Sequence, residues 1–244
     1  MPRFTLLLLI TLLGAATASA QTTYRLGLRG GPNWATSTVG ESQLSPSSPY
    51  NYSASKSAIY RGQIGAVLEM ARGRFALQPA LMFSQKGERV ESFTSISGFA
   101  GVSSSETSAT NRSNWLELPV NLVYTLHGVQ LFAGPYVALA VGGRQRGTLL
   151  QSSPYARFAP LHYDEKVEYQ DEKLSRRLDA GFNAGLGYRR GPLQLQLGYG
   201  LGLRKLQSVP FSMISYSSYY IPTYADEKAY NRVVQLTGTY FLDL

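Results

Sequence analysis

Leu193-Gln194-Leu195-Gln196-Leu197-Gly198-Tyr199-Gly200-Leu201-Gly202-Leu203-Arg204 alternates for twelve residues without a break. Every odd position is a large apolar side chain and every even one is Gln, Gly or Arg. A period of two is the signature of a strand with two unlike faces. The run is about twice the usual five or six residues, and long enough to cross a bilayer at a tilt.

Seven further stretches carry the same rhythm, at about 24–34, 58–70, 74–86, 114–126, 129–141, 178–188 and 230–244. Their connections fall into two classes. Ala71-Arg72-Gly73-Arg74, His127-Gly128 and Arg189-Arg190-Gly191-Pro192 are tight turns; roughly 35–57, 87–112, 143–177 and 207–229 are long and polar. Alternating short turns and long loops are what an up-and-down barrel threaded through an outer membrane produces. The expected fold is all-β: an eight-stranded antiparallel up-and-down transmembrane β-barrel, both termini periplasmic, with four long outer loops.

The N-terminus agrees with export. Arg3, the apolar run Phe4 to Leu13 and the box Ala18-Ser19-Ala20 read as a secretory signal over residues 1–20, leaving 21–244 as the barrel domain. A short membrane anchor is the competing reading. After residue 20 no window stays apolar for about 18 residues, so any crossing of the bilayer falls to closed sheet. No cysteine is present, which excludes disulfides, thiolate metal sites and a Cys nucleophile. The formal charge of +8 falls to +7 without Arg3, but its Lys and Arg are scattered, and no nucleic-acid-binding motif accompanies them. Charged residues are 16% of the chain, below the usual ~25%, while Tyr is abundant.

Periodicity does not say which face is outside. A lipocalin would turn the apolar face inward around a ligand. Strand length, a Gly-rich polar face and aromatics at the strand ends (Tyr24, Tyr124, Tyr188 and Tyr240; Tyr60 and Phe83) favour lipid outside and a narrow packed lumen. On that parity Glu69, Glu117 and Asp179 point inward with Arg25, Arg29, Arg61, Arg74, Lys86 and Arg204. Buried charges must pair, so a lumen charge network is expected: Glu69 with Arg25 and Arg74, and Glu117 and Asp179 with Arg29, Arg61 and Arg204. Pro79, Pro119 and Pro135 fall at one height and predict a belt of broken or bulged ladder, with Gln78, Asn121 and Gln130 as replacement donors. The inward glycines 181, 185, 187, 198, 200 and 202 predict a groove filled by Arg61, Gln63, Gln78, Met82 and Lys86 from across the barrel.

With the strands placed, a family pattern is visible. Leu26-Gly27-Leu28-Arg29-Gly30-Gly31-Pro32-Asn33, Leu116-Glu117-Leu118-Pro119-Val120, Ala133-Gly134-Pro135-Tyr136 and Ala180-Gly181-Phe182-Asn183-Ala184-Gly185-Leu186-Gly187-Tyr188 resemble the first, fourth, fifth and sixth strands of the PorT-like outer-membrane β-barrel family. The resemblance covers the barrel and not the outer loops. It implies eight strands and a Gram-negative outer-membrane address, and no reaction. Some relatives of that pattern serve protein secretion and gliding machinery.

Little in the chain suggests catalysis. His127 sits in a turn; His162 lies in the third loop beside Tyr163, Asp164 and Glu165, with no Ser at a suggestive spacing. Asp164, Glu165, Glu168, Asp171 and Glu172 would suit a hard cation, but Lys166, Lys173, Arg176 and Arg177 are interleaved, so a self-neutralising loop is the simpler reading. Tyr216-Ser217-Ser218-Tyr219-Tyr220 reads either as a sugar- or protein-binding loop or as rings resting on headgroups. Within the second loop, the stretch Phe93 to Asn114, rich in Ser, Thr and Gly, is expected to be mobile. No catalytic, cofactor or metal residue is assigned. The expected role is non-enzymatic: an outer-membrane protein whose loops contact envelope or secretion partners or external ligands, with outer-membrane lipid as its surroundings and no nucleic acid. A small porin-like pore and a lipid-modifying enzyme are the alternatives.

Overall fold

The computed structural model describes residues 22–38, 50–167, 177–204 and 230–243. Nine strands are present among them: β1 Thr23–Ser37, β2 Tyr50–Arg72, β3 Phe75–Gly98, β4 Gly101–Leu126, β5 Val129–Ser152, β6 Leu161–Lys166, β7 Leu178–Arg190, β8 Leu193–Gly202 and β9 Asn231–Asp243. All but β6 form one antiparallel ring, closed by β1 on β9 and by β4 on β5. The eight-stranded up-and-down barrel is therefore the fold, and β6 is a short extra strand paired to the upper part of β5.

Three hairpins close one end, which we call the turn end. His127 (φ 50°) and Gly128 (φ 85°) both take the left-handed conformation that a two-residue primed turn needs. Gly73 and Gly191, each at φ 60°, hold the other two.

The apolar face is outside. Leu28 is 68% exposed and Ile64 67%, in columns that continue through Leu77, Leu118, Leu131, Leu186, Leu195 and Leu236. A water-facing surface of that kind is untenable, whereas hydrocarbon welcomes it. Tyr24, Tyr188 and Tyr240 edge this band at the turn end; Trp34 and Tyr60 stack at 5.8 Å at the other. Inside, small apolar clusters (Val67, Ala80, Met82 and Phe241; Trp115, Tyr136, Ala138 and Ala140; Ala76, Val123 and Phe132) alternate with buried polar groups.

The strands run further than periodicity implied. The expected loop 87–112, with the stretch Phe93 to Asn114 expected to be mobile, is instead the upper part of the β3–β4 hairpin, paired from Gly87↔Arg112 to Gly98↔Gly101 around Phe99-Ala100. Ser and Thr, read as loop formers, here face each other across strands (Ser92↔Thr107, Thr94↔Ser105, Ser95↔Ser104). Such pairs stabilise a polar, two-sided sheet that shows no alternation of polarity. β2, β5 and β6 extend the same wall, so β2 to β6 stand above the ring as a sheet; from Gln85 to Gly98, β3 adds roughly 40 Å of strand.

Two bulges reset the parity. β2 carries one extra residue between Ala58 and Gln63, and β5 one between Ala140 and Gly142. The prolines act differently. Pairing lapses beside Pro79 in β2–β3, beside Pro119 in β3–β4 and beside Pro135 in β4–β5, and register is the same on both sides of each gap. The belt is thus one of missing rungs without bulges. Two of the three replacement donors expected there are otherwise engaged: Gln78 Nε2 donates to Glu69 and Gln130 Nε2 to Thr125.

Candidate functional site: the lumen and its two ends

The lumen charges separate into two tiers. Near the turn end, Glu69 is fully buried. Arg189 Nη1 donates to both its oxygens (2.6 and 2.7 Å), Arg25 Nη1 to Oε1 (3.1 Å) and Gln78 Nε2 to Oε2 (2.8 Å). Gln78 Oε1 accepts from Arg29 Nη2 at 2.8 Å, and Arg29 also donates to Thr239 (2.9 Å) and to Gln194 Oε1 (3.1 Å). Gln194 then donates to Gln130, which donates to Thr125. Each of the eight ring strands supplies a member: β1 Arg25 and Arg29, β2 Glu69, β3 Gln78, β4 Thr125, β5 Gln130, β7 Arg189, β8 Gln194, β9 Thr239. One continuous network therefore bridges the lumen.

The upper tier is built on Glu117. Lys86 Nζ lies 2.8 Å from Glu117 Oε1, with both side chains almost wholly buried, and Lys86 sits 5.1 Å above the centre of the Tyr136 ring. Tyr136 donates to Asp179 Oδ2 at 3.0 Å and Asn231 donates to the same oxygen at 2.6 Å. Between the tiers lies a cavity of about 30 Å³, bordered by Arg29, Gln63, Glu117, Asn121, Asn183 and Gln196. That is room for one or two waters. A third pair lies higher: Glu88 is 3.6 Å from Lys56 and accepts from the Ser37 amide at 3.1 Å and from its hydroxyl. Lys56 faces inward because the β2 bulge flips the parity above it.

Of the eight charges expected to form one network, the structure brings Arg25, Arg29 and Glu69 together in the turn-end tier. Glu117 and Asp179 share the upper one. Three arginines lie elsewhere. Arg74 belongs to the turn, is exposed and is replaced at Glu69 by Arg189. Arg61, at the β2 bulge, donates to its own neighbour's carbonyl, Tyr60 O. Arg204 lies two residues beyond β8, and the partners of the upper carboxylates are Lys86, Tyr136 and Asn231 instead. Lys86 is the cation of Glu117, and Asp179 is held by two neutral donors instead of an arginine. Arg189 was hidden by its place in a turn-like string, although its odd number gives it the inward parity of Gly185 and Gly187.

The glycine groove is filled from its own side. A Cβ at Gly185 or Gly198 would meet Phe132 Cζ at 2.7 and 2.9 Å, and one at Gly181 would meet Tyr136 Cε1 at 2.6 Å. These β5 aromatics fill the space at Gly181, Gly185 and Gly198, while Gln130 and Gln196 stand against Gly187, Asn183 against Gly200 and Asn231 against Gly202; none of the expected β2 and β3 side chains is among them.

Outside the barrel, Asp164 accepts from Arg144 Nε (2.5 Å) and Arg146 Nε (2.8 Å), while His162 Nδ1 lies 2.9 Å from Thr148 Oγ1. No group of three potential metal ligands occurs among the described residues. Glu168, Asp171, Glu172 and the Tyr216–Tyr220 loop lie outside them.

No curated protein matches the sequence. The solved structures it is similar to include the attachment invasion locus protein Ail of Yersinia pestis (9% identity, TM-score 0.37, 90% of this chain and 99% of that one). Neisserial surface protein A is similar at 8% identity and TM-score 0.32, over 91% and 98%. OprG of Pseudomonas aeruginosa is similar at 10% and 0.33, over 92% and 98%. Scores this low have no bearing on function. The family described as outer membrane protein beta-barrel domain matches residues 19–208, most of the chain. Closed ring, lipid-facing apolar wall and family match agree: the chain belongs to the outer membrane protein beta-barrel domain family.

Proposed function

We propose that this protein is a sealed, non-enzymatic outer-membrane barrel whose task is to hold the β2–β6 sheet beyond the membrane surface, where it meets envelope or secretion partners or external ligands. Residues 1–20 direct export and are removed, residues 21–244 form the mature domain, and the turn end faces the periplasm. Within the family the chain is assigned to the PorT-like branch on its strand motifs. The observation that carries the reading is the hydrogen-bonded tier at the turn end, to which every ring strand contributes. A lumen crossed in this way offers ions no path, since eight strands leave an interior only wide enough for side chains.

Planar-bilayer recording tests it against a small pore. The purified protein is expected to insert without steady conductance. A stable open level that disappears in Glu69→Arg would overturn the sealed-barrel reading in favour of the pore.

A further inference from the structure

Just above the apolar band, the outward face of β3 to β6 carries a compact group of cations. Phe83↔Leu116↔Leu139 is an upper rung of the lipid-facing wall. One polar rung follows, in which Gln85 donates to Asn114 at 3.1 Å. The next pairs Arg112 with Arg144 and Arg144 with Lys166. Two residues higher, Arg89 lies opposite Thr110, Thr110 opposite Arg146 and Arg146 opposite Asp164. Like charges directly opposed on neighbouring strands are unfavourable. Five cations here meet Asp164, which Arg144 and Arg146 already share.

Their direction is set by one residue. Below the β5 bulge, even-numbered residues point into the lumen, as Gln130, Tyr136 and Ala138 do. The extra residue between Ala140 and Gly142 reverses this, so Arg144 and Arg146 turn outward, where their side chains are 45% and 65% exposed. From Leu116 to Arg112 is four residues, ~13 Å of strand or about 10 Å along the membrane normal at the usual tilt, which is headgroup height.

We propose that this row binds the phosphate groups of the outer-leaflet glycolipid, so that one sector of the barrel carries a seated lipid. The proposal rests on the reading that the long-strand end faces outward. Three features select lipid phosphate over a soluble anion. The row continues the lipid-facing columns of the same strands. It stands at headgroup height. Guanidinium groups in adjacent columns match phosphate oxygens two at a time.

The test uses the protein purified from membranes in a nonionic detergent, with native mass spectrometry as the readout. Bisphosphorylated lipid A should be retained, and its dephosphorylated form retained about tenfold less. Arg112→Gln/Arg144→Gln should lose about tenfold in lipid A retention. Arg74→Gln/Arg190→Gln, which removes the same charge at the turn end, should lose none. Equal retention by all three proteins, equal retention of both lipids, or tighter retention of a soluble sulfated polysaccharide than of lipid A would each overturn the proposal. Orientation is read separately, by labelling Ser104→Cys in whole cells with an impermeant maleimide. Failure to label overturns the outward reading, and the seated-lipid proposal with it, whatever the detergent result.

Discussion

The two tiers of the lumen solve one problem in opposite ways. Both bury a glutamate. Glu69 lies at the rim among two arginines and a glutamine, and its arginines remain partly open: Arg25 is 28% exposed and Arg189 15%. Glu117 has the nearly sealed Lys86 beside it, over the Tyr136 ring. The first arrangement is a network open to bulk water at its edge, the second a single ion pair deep in the lumen, beside a cavity that holds at most one or two waters. Number of contacts and cost of disruption need not rise together. A charge stripped of its partner is dear when it cannot find water, and much cheaper when it can.

That contrast is open to test. Glu117→Ala leaves the Lys86 ammonium buried with no counter-charge and is expected to cost about 3–5 kcal/mol. Glu69→Ala removes more hydrogen bonds, yet Arg25 and Arg189 can turn to the rim, so the loss should be smaller, roughly 2–3 kcal/mol. Urea unfolding midpoints in lipid vesicles give both values. A larger loss at Glu69 would mean that the network, and not the inner pair, holds the barrel together. Lys86→Met/Glu117→Leu, which removes both charges, should recover most of the Glu117→Ala loss.

How much of this was legible in the sequence follows from where period two holds. In the membrane it holds strictly, because lipid demands apolar side chains on every outward position. The eight ring strands and the inward Glu69, Glu117 and Asp179 were readable for that reason. Above the membrane water is on both faces, and Ser92, Thr94, Ser103 and Ser105 form strand without any alternation. The bulges have no composition signal, so Lys56 and Arg146 face the opposite way from a parity counted through them. Arg189 was masked by a string of turn residues, and Arg74 gained a place in the lumen from the same uncertainty at hairpin ends. Inward Phe132 and Tyr136 escaped notice because a polar lumen was expected throughout.

Those two aromatics sharpen the comparison further. They fill the glycine wall at Gly181, Gly185 and Gly198, and Asn183 stands against Gly200 in the same wall, so overpacking should be felt there. A Cβ at Gly200 would lie 3.0 Å from Asn183 Oδ1. Gly200→Leu is expected to lower stability by about 1–3 kcal/mol in the same unfolding assay. Gly73→Ala, at a turn where a Cβ meets nothing within 4 Å but φ is 60°, gives the cost of backbone conformation alone. If Gly200→Leu unfolds with the wild-type midpoint, the upper lumen has slack, and the sealed-compartment account of Glu117 loses its basis.

The smallest effect lies outside the barrel, where an ion pair meets water from the start. Desolvation acts to raise the Asp164 carboxyl, but the hydrogen bond and charge of Arg144, with Arg146 behind them, outweigh it and hold it below the usual carboxylate range. A carboxylate depressed in the folded state contributes stability above its unfolded value of ~3.9, and that contribution is lost as pH falls through the lower folded value. Being exposed, the pair is screened by salt as well. The β5–β6 hairpin should therefore keep its amide protection at Gly147 and Thr148 from neutral pH down to about 4 and lose part of it only below, while the ring strands within the membrane stay protected. Hydrogen exchange followed by mass spectrometry at several pH values reads this directly. Asp164→Asn should abolish the acid step and leave exchange in the ring strands untouched. A ring that opened in step with the hairpin would show that the sheet above the membrane and the barrel within it are one cooperative unit, and that the exposed and buried charge pairs do not act independently.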